Sequence, residues 1–186
     1  AYLGERVPRL DYLGVDVCPA RPETARTRAP AQQFVQADFL TEPLTALAGS
    51  QPRDLICLFG VLHHVPGQAR RLQLMRELPA LLSPRALLAL TFWRLDEDAR
   101  FESRRVRFED YNRAAPRPIA LEQLEPGDTL LRWGDGDAPP RYCHFPDAAE
   151  THALIAASGL RVLERFRADG HRDRMNDYAL LTTDHE

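Results

Sequence analysis

Hydrophobic and polar positions along this chain form four short runs that predict β-strands. The clearest run, residues 54–59, is almost continuously apolar after a charged first residue, a pattern typical of a parallel sheet covered on both faces. The other three runs end near Asp16, Asp38 and Phe92. Because ligands of such sheets lie beyond the carboxyl ends of the strands, the residues that follow each run are candidates for a binding site.

Between the third and fourth runs, apolar residues recur with helical spacing over residues 68–82. Pro79 is expected to interrupt this helix, and Ser83 and Pro84 to end it. Helices that alternate with strands predict an α/β fold built on a mostly parallel sheet.

The pattern changes after Trp93. Residues 94–140 mix charges and aromatic residues with prolines and glycines, which predicts a cap inserted in one domain that spans residues 1–186. Residues 147–158 then predict a helix that Gly159 ends, and residues 160–166 and 177–182 predict a closing pair of antiparallel strands.

Composition is that of one soluble globular domain: 186 residues, 44% hydrophobic and 27% charged. The net charge of −3 gives no overall basic field that would indicate nucleic-acid binding. The three cysteines are scattered and lack a CxxC pair, so neither a disulfide framework nor a zinc site is expected. Without a signal peptide or an apolar run long enough to span a bilayer, a cytoplasmic location is expected.

The residues at the strand ends carry candidate chemistry. A carboxylate such as Asp16 can accept both hydroxyls of a ribose, although an acid there also serves turns and helix caps. Asp38 with Phe39 could hold an adenine amino group and pack on its ring, or act as a turn acid and a core aromatic. Gly60 permits a close approach of the backbone to a ligand.

Two adjacent histidines, His63 and His64, follow the third run. Neighbouring residues on a helix do not face one ligand, and no partner cluster is evident, so a metal site is not predicted. We expect one histidine to point into the cleft and the other to pack or face solvent. Lining of a ligand is favoured, with general-base action by His64 as the alternative.

Taken in order, the acid in YLGVD, the pair DF at 38–39 and the segment DLICLFGVLHHV resemble the class I S-adenosylmethionine-dependent methyltransferases. The resemblance implies a Rossmann-like methyltransferase sheet, mostly parallel with an antiparallel C-terminal strand, and S-adenosylmethionine as cofactor. It implies that Asp16 holds the ribose and that Asp38 and Phe39 contact adenine. The cofactor is then lined near its methyl group by Phe59, Gly60 and Val61.

Two departures from the family pattern stand out. Arg85 and Ala86 occupy the place where the family usually has two glycines. The family's acidic-x-Gly-x-Gly-x-Gly loop is absent, and residues 1–10 resemble the helix that follows that loop. The first strand of the sheet is therefore expected to be missing, through an N-terminally truncated sequence or through loss in a non-catalytic pseudo-methyltransferase. The 186 residues alone are expected to bind the cofactor weakly or not at all.

The segment RYCHF at 141–145 and the segment NDY at 176–178 resemble bacterial relatives of the tRNA wobble-uridine carboxymethyl methyltransferases. This implies methyl transfer to a carboxylate, such as carboxymethyluridine in tRNA. The resemblance assigns catalytic roles to three residues and substrate-binding roles to three others: His64, Arg141 and His144, and Trp133, Tyr142 and Asn176.

Three alternatives to these assignments stay open. A small-molecule O- or C-methyltransferase would use the same cofactor half with an apolar pocket under the cap, and the negative net charge favours it. Trp133 and Tyr142 could instead pack in the core, and Arg141 could pair with a surface carboxylate. The acceptor is thus a small molecule or tRNA, with no metal or membrane partner expected, and the oligomeric state is left open.

Overall fold

A computed structural model describes residues 6–7, 9–49, 51–133, 138–170 and 172–184. Within it the chain forms two units, Ala1–Pro52 and Arg53–Glu186. The sequence at residues 1–10, compared above with the helix after the glycine loop, lies largely outside the described residues.

The N-terminal unit contains two parallel strands, β1 (Leu13–Asp16) and β2 (Gln33–Gln36), in register from Leu13 opposite Gln33 to Asp16 opposite Gln36. Helix α1 (Ala20–Arg28) connects them, as two parallel strands need a crossover connection. A short helix, α2 (Leu44–Ala48), follows β2. Asp16 and Asp38 therefore both lie at the carboxyl ends of parallel strands, as predicted.

The second unit is built on a four-stranded mixed sheet. Its strands are β3 (Arg53–Leu58), β4 (Leu82–Trp93), β8 (Arg161–Ala168) and β9 (Asn176–Thr182), in the order β3-β4-β9-β8. β3 and β4 are parallel, whereas β9 runs antiparallel to both β4 and β8. The predicted combination of parallel strands with an antiparallel C-terminal pair is confirmed.

Two helices of this unit pack against each other, α3 (Gln68–Glu77) and α5 (Ala148–Ala157). α3 passes into a 3-10 turn over Leu78–Leu81, where Pro79 removes a helical hydrogen-bond donor. Asp147 caps α5 by accepting a 2.7 Å hydrogen bond from the backbone of Glu150. Buried apolar side chains from helices and strands form the core: Leu74, Met75, Leu88, Leu90, Leu154 and Leu181.

The predicted cap contains a helix, α4 (Phe108–Asn112), several 3-10 turns and a second sheet. That sheet is antiparallel and consists of β5 (Arg105–Val106), β6 (Asp128–Leu131) and β7 (Arg141–His144), so it extends past the boundary expected at residue 140. A buried cluster of Leu95, Leu131, Cys143 and Phe145 supports it.

Arg85 adopts a left-handed backbone conformation, with φ at +62°. Only glycine adopts this conformation without a steric cost, which for other residues is about 1–2 kcal/mol. The chain therefore keeps, with an arginine, a left-handed backbone conformation at the place where the methyltransferase family that it resembles usually has glycine.

None of the helices among the described residues combines the length and the apolar character needed to cross a membrane.

Candidate functional site

The turn after β3 shapes one wall of the candidate site. Gly60 adopts φ +66°, and its backbone N–H donates a 2.8 Å hydrogen bond to the Thr91 hydroxyl on β4. The bond ties together the carboxyl ends of the two parallel strands. Phe59, just before it, is 54% exposed and meets the ring of Tyr178 edge-on at 5.9 Å. An exposed aromatic beside a glycine at this edge of the sheet fits the lining role expected for Phe59 and Gly60.

His63 lies in the interior of the short 3-10 turn Leu62–His64. It is 2% exposed and stacks on Trp93, with ring centroids 3.5 Å apart. Neither ring nitrogen has a hydrogen-bond partner among the described residues. Desolvation, and after it the charge of His64, lowers the pKa of His63 to about 2. His63 is therefore neutral at physiological pH.

His64 is exposed, and its Nδ1 lies 2.9 Å from the backbone oxygen of Tyr142 on β7. A carbonyl oxygen only accepts, so Nδ1 carries the proton and donates. This bond joins the histidine turn to the strand that begins with Arg141. One histidine packs and the other is accessible, and the orientation of one of them into the cleft stays a prediction.

Arg141 and Trp133 face solvent together. Arg141 is exposed at the start of β7, and its Cζ lies 6.0 Å from the centroid of the Trp133 ring. Trp133 is itself 41% exposed and lies nearly parallel to Trp93, at 5.6 Å between centroids. A guanidinium beside an accessible aromatic ring can bind a planar acid or base.

His144 is placed differently from Arg141. Alternate residues of a strand point to opposite faces, so two residues three positions apart on β7 do not share a face. His144 is fully buried, with Nδ1 2.7 Å from Asp128 and Nε2 2.8 Å from Glu150. The structure thus separates the two residues that were expected to face an acceptor together.

Tyr142 belongs to the same interior group as His144. Its hydroxyl donates a 2.7 Å hydrogen bond to Asp128. Burial, together with the bond to that carboxylate and its charge, raises the pKa of Tyr142. The phenol is therefore engaged inside the cap, and only the backbone of Tyr142 reaches His64.

Arg71 is the residue that the sequence analysis missed. It is almost fully buried on α3 and donates to Glu150 at 2.8 Å, Glu125 at 2.7 Å and the Val65 carbonyl at 2.9 Å. The signal was present, because position 71 shares the apolar helix face with the buried residues Leu74, Met75 and Leu78. A charge on that face predicts a buried partner.

Glu125, Asp128 and His144 bring their ligand atoms within 4.8 Å of one another, close enough to hold a metal ion. Arg71 already neutralises Glu125, however, and both nitrogens of His144 are bonded to carboxylates. These side chains are bonded to one another and to Arg71. The cluster is therefore explained as a hydrogen-bond network that holds the cap in place.

Asn176 lies opposite Trp93 in the pairing of β9 with β4. Its amide and the Tyr178 hydroxyl both donate to Asp169, at 2.8 Å and 2.5 Å. The bond to Asp169 raises the pKa of Tyr178 to about 12. The side-chain oxygen of Asn176 is buried without a partner among the described residues. The substrate-binding role of Asn176 stays a prediction.

Two carboxylates of the N-terminal unit, those of Asp16 and Asp38, can accept hydrogen bonds from a ligand. One oxygen of Asp16 accepts from the Cys18 backbone at 2.8 Å, and the other lies 3.4 Å from Arg21. Asp38 accepts from the Leu40 backbone at 2.9 Å. These bonds match the turn role weighed above, yet each half-buried carboxylate retains free lone pairs at a strand end. The residues therefore fit the ribose and adenine groups of S-adenosylmethionine.

Comparisons with known proteins agree with this arrangement. Residues 1–88 match the family model described as a methyltransferase domain. Over 166 residues the chain is 26% identical to the mouse protein named probable tRNA methyltransferase 9B. The aligned region covers 89% of this chain and 33% of the mouse protein. The chain thus spans about a third of the length of this relative.

Solved structures give the same fold. An S-adenosylmethionine-dependent methyltransferase from Methanosarcina mazei superposes with a TM-score of 0.63 at 16% identity, over 91% of this chain and 80% of the other. The N-methyltransferase NodS from Bradyrhizobium japonicum, solved with S-adenosyl-L-homocysteine, superposes with a TM-score of 0.55 at 14% identity, over 98% and 71%. At these identities the likeness establishes the fold, and it confirms the Rossmann-like class.

Proposed function

We propose that the chain is a class I S-adenosylmethionine-dependent methyltransferase and that it methylates a carboxylate; its fold and the match of residues 1–88 to the methyltransferase-domain model support the first part. The proposed acceptor is a carboxymethyl group such as that of carboxymethyluridine in tRNA. The mouse relative, named as a probable tRNA methyltransferase, supports a tRNA acceptor.

One observation carries the proposal: the 2.9 Å bond from His64 Nδ1 to the Tyr142 carbonyl. It fixes β7 against the histidine turn that follows the cofactor-lining segment. Arg141, the neighbour of Tyr142, is exposed there with its guanidinium beside Trp133. A cation is therefore held close to the turn where the resemblance expects the methyl group.

The chemistry needs little help from a base. When bound, S-adenosylmethionine supplies an electrophilic methyl group on its sulfonium. A carboxylate is already ionised at neutral pH, so the protein has only to orient it for in-line attack. Arg141 can do this through two parallel hydrogen bonds, which fix the plane of the acid. In this scheme His64 holds β7 rather than accepting a proton.

His144 acts as a positioning residue in the same proposal. Its bonds to Asp128 and Glu150 tie β7 to β6 and α5. These bonds set the position of the strand that carries Arg141, without contact between His144 and the acceptor.

The experiment is methyl transfer from labelled S-adenosylmethionine by the full natural protein. Acceptors are tRNA containing carboxymethyluridine, small carboxylic acids and phenols. Arg141→Lys keeps the charge but loses the planar fork, so kcat/KM for the acceptor should fall about 10- to 100-fold with cofactor affinity unchanged. Arg76→Lys, at an exposed position on α3, is the matched control.

His144→Ala should lower the melting temperature as well as the rate, because Asp128 and Glu150 each lose one of their hydrogen-bond donors inside the cap. Turnover of phenols with none of either carboxylate class would refute the proposal in favour of a small-molecule O-methyltransferase. Full activity of Arg141→Lys would remove Arg141 from the acceptor site.

A further inference from the structure

One row of side chains crosses the four-stranded sheet at the level where its parallel strands end. Thr91 on β4 lies opposite Tyr178 on β9, and Tyr178 lies opposite Phe166 on β8. Phe59 directly follows β3, and the backbone of Gly60 after it donates to the Thr91 hydroxyl. Residues opposite one another on adjacent strands share a face of the sheet. The row therefore runs from the segment expected to line the cofactor to the outermost strand.

The aromatic members of this row, Phe59, Tyr178 and Phe166, are called the aromatic row below. Phe59 and Tyr178 meet although β4 lies between their strands, because β4 contributes only the short, buried side chain of Thr91 at this level. Their rings contact each other edge-on at 5.9 Å. On its other side Tyr178 lies parallel to the Phe166 ring, with centroids 4.9 Å apart and 1° between the planes. Tyr178 is thus held between the other two rings.

A carboxylate anchors the hydroxyl end of Tyr178. Asp169 Oδ2 accepts from that hydroxyl at 2.5 Å and from the amide of Asn176 at 2.8 Å. The two bonds lower the pKa of Asp169, so its carboxylate is ionised at neutral pH. Asp169 adopts φ +68°, a left-handed conformation that is unfavourable for a residue with a side chain. The turn after β8 therefore holds the anchor in place at a cost in backbone conformation.

Packing explains only part of the aromatic row. Phe59 is 54% exposed and Phe166 is 40% exposed, so the row buries less apolar area than aromatic residues of a core do. A row that served stability alone would need no ionised anchor on its middle ring. The anchor fixes Tyr178, and Tyr178 fixes the covered edge of Phe59. The orientation of the exposed side of the Phe59 ring is set in this way.

We infer that Tyr178 is a positioning residue for the cofactor. Anchored by Asp169, it orients the ring of Phe59, which is expected to line S-adenosylmethionine beside Gly60. The inference deepens the proposed function and rests on its cofactor, but not on its acceptor. Tyr178 contacts Phe59 and not the cofactor, so its effect on cofactor binding passes through Phe59.

The test is calorimetry of S-adenosylmethionine binding to the full natural protein without an acceptor. Tyr178→Phe keeps the aromatic ring and removes the bond to Asp169, so the dissociation constant should rise about 2- to 30-fold, the range for coupling through an intermediate residue. Asp169→Asn tolerates the left-handed conformation but offers a weaker, neutral acceptor, so the dissociation constant should rise by a smaller factor. Tyr111→Phe, half-buried on α4, is the matched control and should leave it unchanged.

A double-mutant cycle separates positioning from general stabilisation. Because Tyr178 acts through Phe59, Tyr178→Phe in a Phe59→Leu background should change the dissociation constant by less than about twofold. A merely structural role would lower the melting temperature in both backgrounds and leave the two effects on affinity independent. Melting temperatures of all variants are therefore measured beside the affinities.

The inference is overturned if Tyr178→Phe binds the cofactor as tightly as the unaltered protein, or if the effects of Tyr178→Phe and Phe59→Leu on the dissociation constant multiply. Either result leaves the proposed function intact, because the unaltered protein then still binds the cofactor. Failure of the unaltered protein to bind S-adenosylmethionine would refute the proposed function and the inference together. The expected cycle combined with turnover of phenols alone would refute the carboxylate acceptor and leave the role of Tyr178 supported.

Discussion

His63 and His64 are neighbours in sequence, but their side chains lie in different environments. His63 stacks on Trp93, and none of the described residues forms a hydrogen bond to its ring. His64 donates to β7 from an exposed position. The sequence predicted that the two side chains would differ in environment, with one of them in the cleft. It did not show which one packs, because that depends on how the turn after Gly60 closes.

The lowered pKa of His63 makes stability depend on pH. Its pKa of about 2 in the folded chain lies below the ordinary 6.5, so the unfolded chain binds a proton that the folded chain does not. The contribution of His63 to the free energy of unfolding is retained above pH 6.5 and is lost as the pH falls below it. The free energy of unfolding should therefore fall by about 2 kcal/mol between pH 7 and pH 5. We expect His63→Phe, which keeps the stacking and cannot ionise, to remove this loss.

Urea unfolding at both pH values measures this dependence in the unaltered chain and in His63→Phe. His152→Gln, at an exposed position of α5, is the control and should behave as the unaltered chain does. An identical pH dependence in His63→Phe would contradict the buried, neutral assignment of His63.

The pairing of β6 with β7 positions the candidate acceptor side of the site. Gly127 precedes β6 with φ at +94°, and a Cβ built on it would lie 2.4 Å from the Phe145 carbonyl oxygen. Its neighbour Asp128 starts the strand and holds both Tyr142 and His144. The close approach at Gly127 therefore fixes the start of β6, the strand that contributes Asp128 to the hydrogen-bond network around Arg71.

Gly127→Ala should lower the free energy of unfolding by at least about 2 kcal/mol, because it adds a steric clash to an unfavourable backbone conformation. Gly159→Ala is the matched control, since Gly159 also has φ above zero, at +65°, but no atom lies within 4 Å of a Cβ there. The free energy of unfolding of Gly159→Ala should fall by only about 1 kcal/mol. Equal losses in chemical denaturation would show that the approach to Phe145 is unimportant.

At the scale of helices and strands, hydrophobic periodicity predicted the elements whose positions depend on local packing. The helix capped by Asp147 and the antiparallel strands β8 and β9 form within two residues of where the pattern placed them. The helix expected to reach residue 82 and to end at Ser83 and Pro84 instead ends at Glu77, just before Pro79, and Ser83 and Pro84 already lie in β4. The β5-β6-β7 sheet was not predicted, because its strands are two to four residues long and are separated by loops. Such short strands carry too few positions for an alternating pattern to be recognised.

For the whole molecule, the resemblance to the class I S-adenosylmethionine-dependent methyltransferases implies one cofactor, and Asp16 is the residue in the N-terminal unit expected to bind its ribose. Asp16→Ala should weaken binding of S-adenosylmethionine to the full natural protein by about 1–3 kcal/mol, because ribose hydroxyls lose a charged acceptor. Asp96→Ala, at an exposed position of the cap, should not change it. Calorimetry measures both, and an unchanged affinity in Asp16→Ala would make Asp16 only a turn residue.

The sequence by itself determined the fold class, because strand and helix patterns and the order of strand-end residues are local properties. It also located Asp16, Asp38, Gly60 and the histidine pair at strand ends. The tertiary structure alone decided that His144 is buried between two carboxylates while Arg141 is exposed beside Trp133. The physical reason is that burial and ion pairing join residues far apart in the chain, as in the bond of Arg71 to Glu150, and no local pattern encodes such a partner.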